Sequence, residues 1–257
     1  MVIAFAQIKG GVGKTALCIL AARYLAALDK RVLVIDSDIQ RYATMYTNAD
    51  DQAFGAKSLA RAIALKDLRA NIHEAENWDI VPADLDLIQF QCSPESHFYR
   101  RTLLPQAAGD YDYLLIDVPS GLDYYARNAA VAADVVVVPV IPASYEILAG
   151  ITLIRELSDR LGLSSDRYRI VLNMFEGDPA NPTRTTEELL AFLAQELGED
   201  LIAQLVGDPI PRAKDIHYAL QNGSQISDSK AHRKTYDALT AVMQTITLEA
   251  SAAPPRF

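Results

Sequence analysis

Residues 7–16 read QIKGGVGKTA and directly follow a short apolar run at residues 2–6. A helical pattern begins behind this stretch, because apolar side chains recur at three- and four-residue spacing through Leu17, Leu20 and Leu28. A strand, a glycine-rich loop and a helix in this order form a cradle for phosphate groups, since backbone N–H groups and the helix N-terminus point at the anion. The stretch therefore predicts a phosphate-binding loop at the start of an α/β fold.

The end of the loop carries the chemistry that phosphate binding needs. In the pattern GxxxxGK[S/T] the lysine, here Lys14, reaches the β and γ phosphates, and the hydroxyl, here Thr15, binds Mg²⁺. The chain departs from that pattern at its start, where Ile8 replaces the first glycine and Lys9 follows it. Because Lys14 already serves the phosphates of its own loop, Lys9 is either a surface charge or the partner of another nucleotide.

Short apolar runs rich in β-branched residues alternate with helical patterns along the chain. Fully apolar strands suit a sheet that is covered on both faces, and the alternation predicts a doubly wound, mostly parallel α/β sheet with helices on both sides. We expect one domain over residues 1–250 and a disordered tail at 251–257. The predicted strands lie at 2–7, 31–36, 78–83, 111–117, 134–141 and 168–174, and the predicted helices at 17–28, 59–72, 95–107, 145–161, 187–197, 213–221 and 230–247.

The composition bounds the class of protein. Half of the 257 residues are apolar, which excludes disorder as the main state. Acidic residues outnumber basic ones by 33 to 24, so any nucleic-acid contact must be a local basic patch. Two distant cysteines suggest neither a disulfide framework nor a zinc site. The first residues lack the basic segment of a signal peptide and no apolar run reaches membrane-spanning length, so we expect a cytoplasmic protein.

Three carboxylates follow apolar strands. Asp36 and Asp38 end the stretch RVLVIDSDIQ, and Asp117 ends the strand in YDYLLIDVPSGL. Ligands of doubly wound sheets bind at the carboxyl ends of the strands, where these side chains are expected. A single strand-end aspartate is weak evidence, since many only cap the next helix. The glycine-rich loop followed by these two aspartate motifs, in this order, is stronger evidence for a ligand site than one aspartate alone.

In this order the motifs resemble those of the ParA/MinD family of P-loop ATPases, with a deviant Walker A loop, a DxDxQ-like second motif and a Walker B strand. The resemblance implies ATP and Mg²⁺ as cofactors. It implies that Lys9 is the signature lysine, which reaches the ATP of a partner subunit. By the same resemblance Thr15, Asp36 and Asp117 hold Mg²⁺, and Asp38 orients or activates the attacking water.

The resemblance also assigns the nucleotide contacts. Ala16 stands where the family often has a second threonine, so a hydroxyl contact to the α phosphate is expected to be absent. Hydrolysis is expected to be slow until a partner completes the site, because the motifs supply no strong general base. The implied nucleotide-binding residues are Gly10, Gly11, Val12, Gly13, Lys14, Thr15 and Ala16 around the phosphates, and Asn173 and the Pro211 backbone beside adenine.

The C-terminal region favours the ParA (Soj-like) branch. An apolar stripe at Tyr236, Leu239, Met243 and Ile246 carries little positive charge, which favours a helix packed on the core over a MinD-like membrane helix. The stretch after Walker B has no cysteines for an iron–sulfur cluster, and the tail has no tyrosine-rich segment of the kind found in bacterial tyrosine kinases. The ParA branch remains.

ParA-type proteins bind DNA without sequence preference when ATP has dimerised them. Lys230, Arg233 and Lys234 are spaced to share one helix face, with Arg212 or Lys214 as possible neighbours. Dimerisation would double the phosphate contacts of this patch. An ordinary solvated helix face is the alternative interpretation.

The sequence thus favours a ParA-like ATPase that partitions or positions a plasmid, a chromosome or a protein cargo. The expected partners are a second copy of the chain, non-specific DNA and a ParB-like or cargo-adaptor protein, with nucleoid association in the ATP state and no stable membrane association. A MinD-like regulator is one alternative. A metabolic enzyme on the same scaffold, resembling dethiobiotin synthetase, is another, and Lys9 would be unnecessary there.

Overall fold

The computed structural model describes residues 1–47, 56–75, 77–93, 95–142, 144–176, 191, 194–196, 204, 209–213, 216, 219–220 and 233–248. The strands are β1 (Val2–Phe5), β2 (Val32–Asp36), β3 (Asp79–Val81), β4 (Tyr113–Asp117), β5 (Val135–Val140) and β6 (Tyr168–Leu172). The helices are α1 (Lys14–Ala26), α2 (Tyr42–Met45), α3 (Leu59–Leu65), α4 (Tyr124–Ala132), α5 (Ser144–Leu161) and α6 (Arg233–Thr247).

The six strands form one parallel sheet in the order β3-β2-β4-β1-β5-β6. The predicted doubly wound α/β class is confirmed, and each predicted strand is present. The register makes Asp117 the Cα neighbour of Asp36 on one side and of Phe5 on the other. The carboxyl ends of β1, β2 and β4 therefore meet at one edge of the sheet, beside the loop that follows β1.

Apolar side chains fill a core layer on each face of the sheet. Along β4, Leu114 and Ile116 contribute to the layer that contains α3, α4 and α5, whereas Tyr113 and Leu115 contribute to the layer that contains α1 and α6. This alternation follows from the two-residue repeat of a strand, and burial on both faces explains why the strand is apolar up to Asp117.

The apolar stripe of α6 lies in the core. Tyr236, Leu239, Met243 and Ile246 are all buried, and the helix contacts α1. The predicted packing of this helix on the core is confirmed. No helix in the described part of the chain is both long and apolar enough to span a lipid bilayer.

Two predicted helices are shorter than expected. The helix predicted over 59–72 ends at Leu65, because Lys66 adopts a left-handed conformation with φ of 55°. In the segment predicted over 95–107, only a π-helical turn (Tyr99–Leu103) and a 3₁₀ turn (Leu104–Gln106) form. Pro105 lies within the 3₁₀ turn and has no N–H with which to continue a regular helix.

The sequence patterns missed α4. Asp123 caps this helix, since its carboxylate accepts hydrogen bonds from the backbone N–H groups of Tyr125 and Ala126 at 3.0 and 3.1 Å. The helices predicted over 187–197 and 213–221 fall largely outside the described residues, and the tail at 251–257 falls wholly outside them. The expectation of a single domain stays a prediction.

Candidate phosphate and metal site

A buried glutamine fixes the entry to the glycine-rich loop. The side chain of Gln7 donates to the carbonyl of Pro139 at 3.1 Å and accepts from the N–H of Ile8 at 2.8 Å, which ties the end of β1 to β5. At the other end of the loop, α1 begins at Lys14, and no described side chain caps its first turn. The N–H groups of that turn are thus available to an anion.

Two glycines shape the loop in different ways. Gly11 and Gly13 both have positive φ, 78° and 93°, which side chains rarely tolerate. A Cβ on Gly11 would meet no atom within 4 Å, whereas a Cβ on Gly13 would overlap the amide nitrogen of Asn173. That nitrogen donates to the carbonyl of Val12 at 2.8 Å. The end of β6 therefore holds the loop closed at Gly13.

The two lysines of the loop occupy different environments. Lys14 is buried, and its ammonium donates to the hydroxyl of Ser120 at 2.8 Å and to the carbonyl of Lys9 at 3.4 Å. Burial lowers the pKa of Lys14, while the nearby carboxylates of Asp117 and Asp38 act in the opposite direction. The side chain of Lys9 is exposed. Lys14 thus serves the interior of the site, and Lys9 lies at its surface.

Asp117 is a fully buried carboxyl group at the carboxyl end of β4. Its side chain is inaccessible to solvent, and neither oxygen makes a hydrogen bond within the part of the chain that the structure describes. Burial and the neighbouring Asp36 raise the pKa of Asp117 well above its usual range, while the Thr15 hydroxyl and the Lys14 ammonium act against that shift. Oxygen ligands of this kind suit Mg²⁺. The residues present therefore fit a magnesium ion.

Asp36 is equally buried but is held by the chain. One carboxylate oxygen accepts from the N–H and the hydroxyl of Thr44 at 2.8 and 2.7 Å, and the other accepts from the N–H of Asp38 at 3.0 Å. Burial raises the pKa of Asp36 to about 6 despite these bonds. The Thr44 hydroxyl also accepts from the N–H of Ala83 at 3.1 Å, which links α2 to the end of β3.

Asp38 lies next to this pair and is half-buried. Its carboxylate accepts from the N–H of Gln40 at 2.9 Å, which shapes the turn before α2. The structure thus brings the predicted loop, Asp36, Asp38 and Asp117 together at one edge of the sheet.

A cavity of about 320 Å³ lies beside the first two turns of α1. Asn173 and Pro211, the two residues expected beside adenine, both line it, together with Ala16 and Leu17 of α1 and Tyr46 from the end of α2. Hydrogen bonds from Ile210 to Leu172 and from Phe175 to Ile210, each 2.9 Å, hold the segment with Pro211 beside β6.

Three of the five predicted DNA-binding residues, Arg212, Arg233 and Lys234, lie within the described part of the chain. Arg212 pairs with Glu176 and Arg233 with Asp237, each at 3.0 Å on the surface. Lys234 is exposed, and the predicted residues Lys214 and Lys230 lie outside the described residues.

Sequence reasoning missed three residues that organise the site, namely Gln7, Thr44 and Ser120. Gln7 and Ser120 each lie inside a motif that had been recognised, next to the residues chosen from it. Thr44 had no such signal, because its contact with Asp36 depends on the turn that returns α2 to the end of β2.

Comparison with known proteins identifies relatives across most of the chain. Residues 1–165 match the AAA_31 family, described as an AAA domain. The chain is 35% identical to the chromosome-partitioning ATPase Soj of Thermus thermophilus, over 77% of each protein. It is 37% identical to an uncharacterized protein of Pseudomonas putida, and this match spans only 59% of either chain. The fold resembles Cyanothece McdA(D38A) in complex with ATP, with a TM-score of 0.81, 16% identity and 98% of each chain covered.

Proposed function

This chain belongs to the ParA/MinD family of P-loop ATPases, and on that basis we propose that it is a ParA-like ATPase that partitions or positions a cargo. It hydrolyses ATP to ADP and phosphate, dimerises when ATP is bound and binds DNA without sequence preference. A ParB-like or cargo-adaptor protein stimulates hydrolysis. The protein works in the cytoplasm and associates with the nucleoid in its ATP state.

The residues of the loop would divide the work of binding Mg·ATP. Backbone N–H groups between Gly10 and Gly13 and the first turn of α1 bind the phosphates, and Lys14 neutralises the β and γ oxygens. Thr15, Asp36 and Asp117 hold Mg²⁺. The bound ion would offset the negative charge that develops on the transferred phosphoryl group.

Asp38 would position the attacking water. Its half-buried carboxylate lies at the same strand end as Asp36 and contributes to the charge around Lys14. The motifs supply no strong general base, so hydrolysis stays slow until a partner improves the geometry of the site. Asn173 and Pro211 would face adenine in the adjoining cavity.

The proposed dimer is supported by one observation: one lysine of the loop is buried, whereas the other is exposed. Lys14 is held inside its own loop by Ser120, whereas Lys9 is exposed five residues earlier. A second cation at the mouth of a phosphate site is well placed to neutralise the nucleotide of a facing subunit. A metabolic enzyme on this scaffold would have no use for it.

Alanine substitutions at the two lysines test this division. We expect Lys14→Ala to abolish ATP binding, whereas Lys9→Ala binds ATP within about threefold of wild type and stays monomeric with ATP and Mg²⁺. Calorimetry measures the binding, and size-exclusion chromatography with light scattering measures the mass. Lys30→Ala, which removes an equal charge beyond the other end of α1, serves as the control. Equal loss of ATP binding in both loop variants would refute the cross-subunit role.

The DNA contact is proposed for Arg212, Lys214, Lys230, Arg233 and Lys234. The ion pairs of Arg212 and Arg233 are exposed, and such pairs contribute only ~0–1 kcal/mol, so a DNA phosphate can replace their carboxylates. Each subunit would supply a modest number of contacts, which dimerisation doubles. Binding of this kind weakens steeply as salt rises.

A further inference from the structure

The cavity beside the phosphate loop is lined by an aromatic side chain to which no sequence motif assigns a role. Among the described residues that line the cavity, Tyr46 is the aromatic one, and it directly follows the last residue of α2. Asn173 and Pro211 line the same cavity. An aromatic side chain together with a polar amide and apolar neighbours is a lining suited to a flat heterocycle.

The position of Tyr46 is fixed by its own short helix. Its N–H donates to the carbonyl of Tyr42 at 3.0 Å, and its side chain is half-buried beside α1. Two residues earlier, Thr44 bonds to the buried Asp36 and to the end of β3. The backbone of Tyr46 is therefore held by the same turn that holds a carboxylate of the proposed metal site.

Charge and burial around the ring agree with a contact surface for a neutral ring. Burial raises the pKa of Tyr46, so the phenol is uncharged at neutral pH. Arg23 of α1 lies close enough to act on that pKa and donates to the carbonyl of Ala219 at 3.2 Å. Leu17 and Leu20, which are both buried, add apolar side chains to the lining of the cavity.

We propose that the ring of Tyr46 contacts the base of the bound nucleotide and so contributes to affinity for nucleotides over base-free polyphosphates. This inference rests on the proposed function, because it places the base of Mg·ATP in this cavity. Stacking on an aromatic ring strengthens binding of any base, whereas hydrogen bonds from groups such as Asn173 discriminate among bases. Because α2 holds the backbone of Tyr46 and the core partly buries its side chain, some of its conformational freedom is already lost before binding.

The test compares a nucleotide with a probe that has no base. Calorimetry with Mg²⁺ would measure the affinities of the non-hydrolysable analogue AMPPNP and of inorganic tripolyphosphate. For Tyr46→Ala we expect AMPPNP to bind about tenfold more weakly, the loss typical of one base–aromatic contact, while tripolyphosphate affinity is unchanged. Tyr46→Phe retains the ring and should bind AMPPNP like the wild type. Tyr42→Ala, on the same turn but outside the cavity lining, is the matched control.

Each other outcome is informative. If Tyr46→Ala binds AMPPNP as tightly as the wild type, or loses AMPPNP and tripolyphosphate affinity equally, the ring does not contact the base and the inference fails. Tyr46→Leu preserves apolar volume without the ring and replaces the alanine variant if circular dichroism shows that variant to be unfolded. Failure of the wild-type protein to bind AMPPNP at all would instead refute the proposed ATPase function.

Discussion

Gly11 and Gly13 share a left-handed backbone conformation, but only Gly13 is also enclosed by a neighbouring side chain. The amide of Asn173 occupies the space that a side chain at Gly13 would need, and it uses that position to bond to the carbonyl of Val12. The last turn of the loop and the end of β6 are therefore fitted to each other. The phosphate loop and the proposed base pocket share this contact.

Alanine substitutions at the two glycines should separate conformational strain from overlap. Gly11→Ala should lower the free energy of unfolding by ~1 kcal/mol, which is typical of an alanine held in the left-handed conformation. Gly13→Ala should lower it by ~3 kcal/mol or more, because overlap with Asn173 adds to the backbone strain. Thermal unfolding without ligand measures both values. Adding Asn173→Ala should recover part of the loss in Gly13→Ala but none in Gly11→Ala. Equal destabilisation by the two single substitutions would contradict this prediction, because it would show that the amide of Asn173 moves aside without a cost in free energy.

At this scale the sequence predicted the groups that carry charge but not the groups that position them. Lys14, Asp36 and Asp117 follow from motifs because each stands at a fixed place in a strand–loop–helix unit. Ser120 was missed because its contact with Lys14 joins segments 106 residues apart, and Thr44 because its contact with Asp36 depends on the turn between β2 and α2. Local spacing contains no information on such contacts.

Helix α6 packs against the core with one face and is exposed to solvent on the other. Its apolar stripe is buried against α1, while Arg233 and Asp237 form an exposed pair one turn apart. Asp237 therefore competes with any phosphate for the guanidinium of Arg233. If this face binds DNA, its acidic residue limits the affinity.

Removing that competitor should strengthen DNA binding. We expect Asp237→Asn to raise the affinity of the ATP-bound protein for duplex DNA about threefold at low salt, because Arg233 is released and a local negative charge is lost. Arg233→Ala should weaken binding and reduce its dependence on salt. Fluorescence anisotropy over a salt series measures both effects, and nucleotide binding should be unchanged in each variant. No change in DNA affinity for either variant would place the DNA contact elsewhere.

Among the elements, strands were easier to predict than helices. Each strand consists mainly of apolar residues, since both faces of the sheet are covered, whereas helix ends depend on single residues. Lys66 ended a predicted helix early by adopting a left-handed conformation, which is uncommon for lysine. Asp123 began an unpredicted helix, and its capping role could have been inferred from the apolar helical pattern behind it.

For the molecule as a whole, the proposed cycle requires an acidic protein to hold and release an acidic polymer. The net charge of −9 opposes DNA binding, so a small shift in the number of contacts decides between the bound and free states. In the proposed cycle dimerisation would supply such a shift, and hydrolysis would reverse it. The timing of release would then depend on Asp38.

Asp38→Ala should prevent release. We expect the variant to bind ATP and to dimerise, with turnover reduced at least about 100-fold, because positioning of the attacking water is lost. Its complex with DNA should persist in a gel-shift time course after wild-type complexes have dissociated. Asp86→Ala, which removes an exposed acid away from the loop, serves as the control. Normal turnover in Asp38→Ala would exclude this residue from the mechanism.

The sequence predicted the order of strands and helices well enough to define the fold class, because alternation and burial follow simple periodic rules. The spatial order of the strands, β3-β2-β4-β1-β5-β6, lies beyond such rules. That order is what places Asp36 and Asp117 side by side. The metal site therefore arises from the topology as much as from the motifs.

Two buried carboxylates on adjacent strands also have a consequence for the life of the protein in a cell. Their proximity makes the ligand-free fold less stable than its packing alone would allow, and Mg·ATP would add stability in proportion to its saturation of the site. Molecules that lose their nucleotide would then be more readily unfolded and degraded.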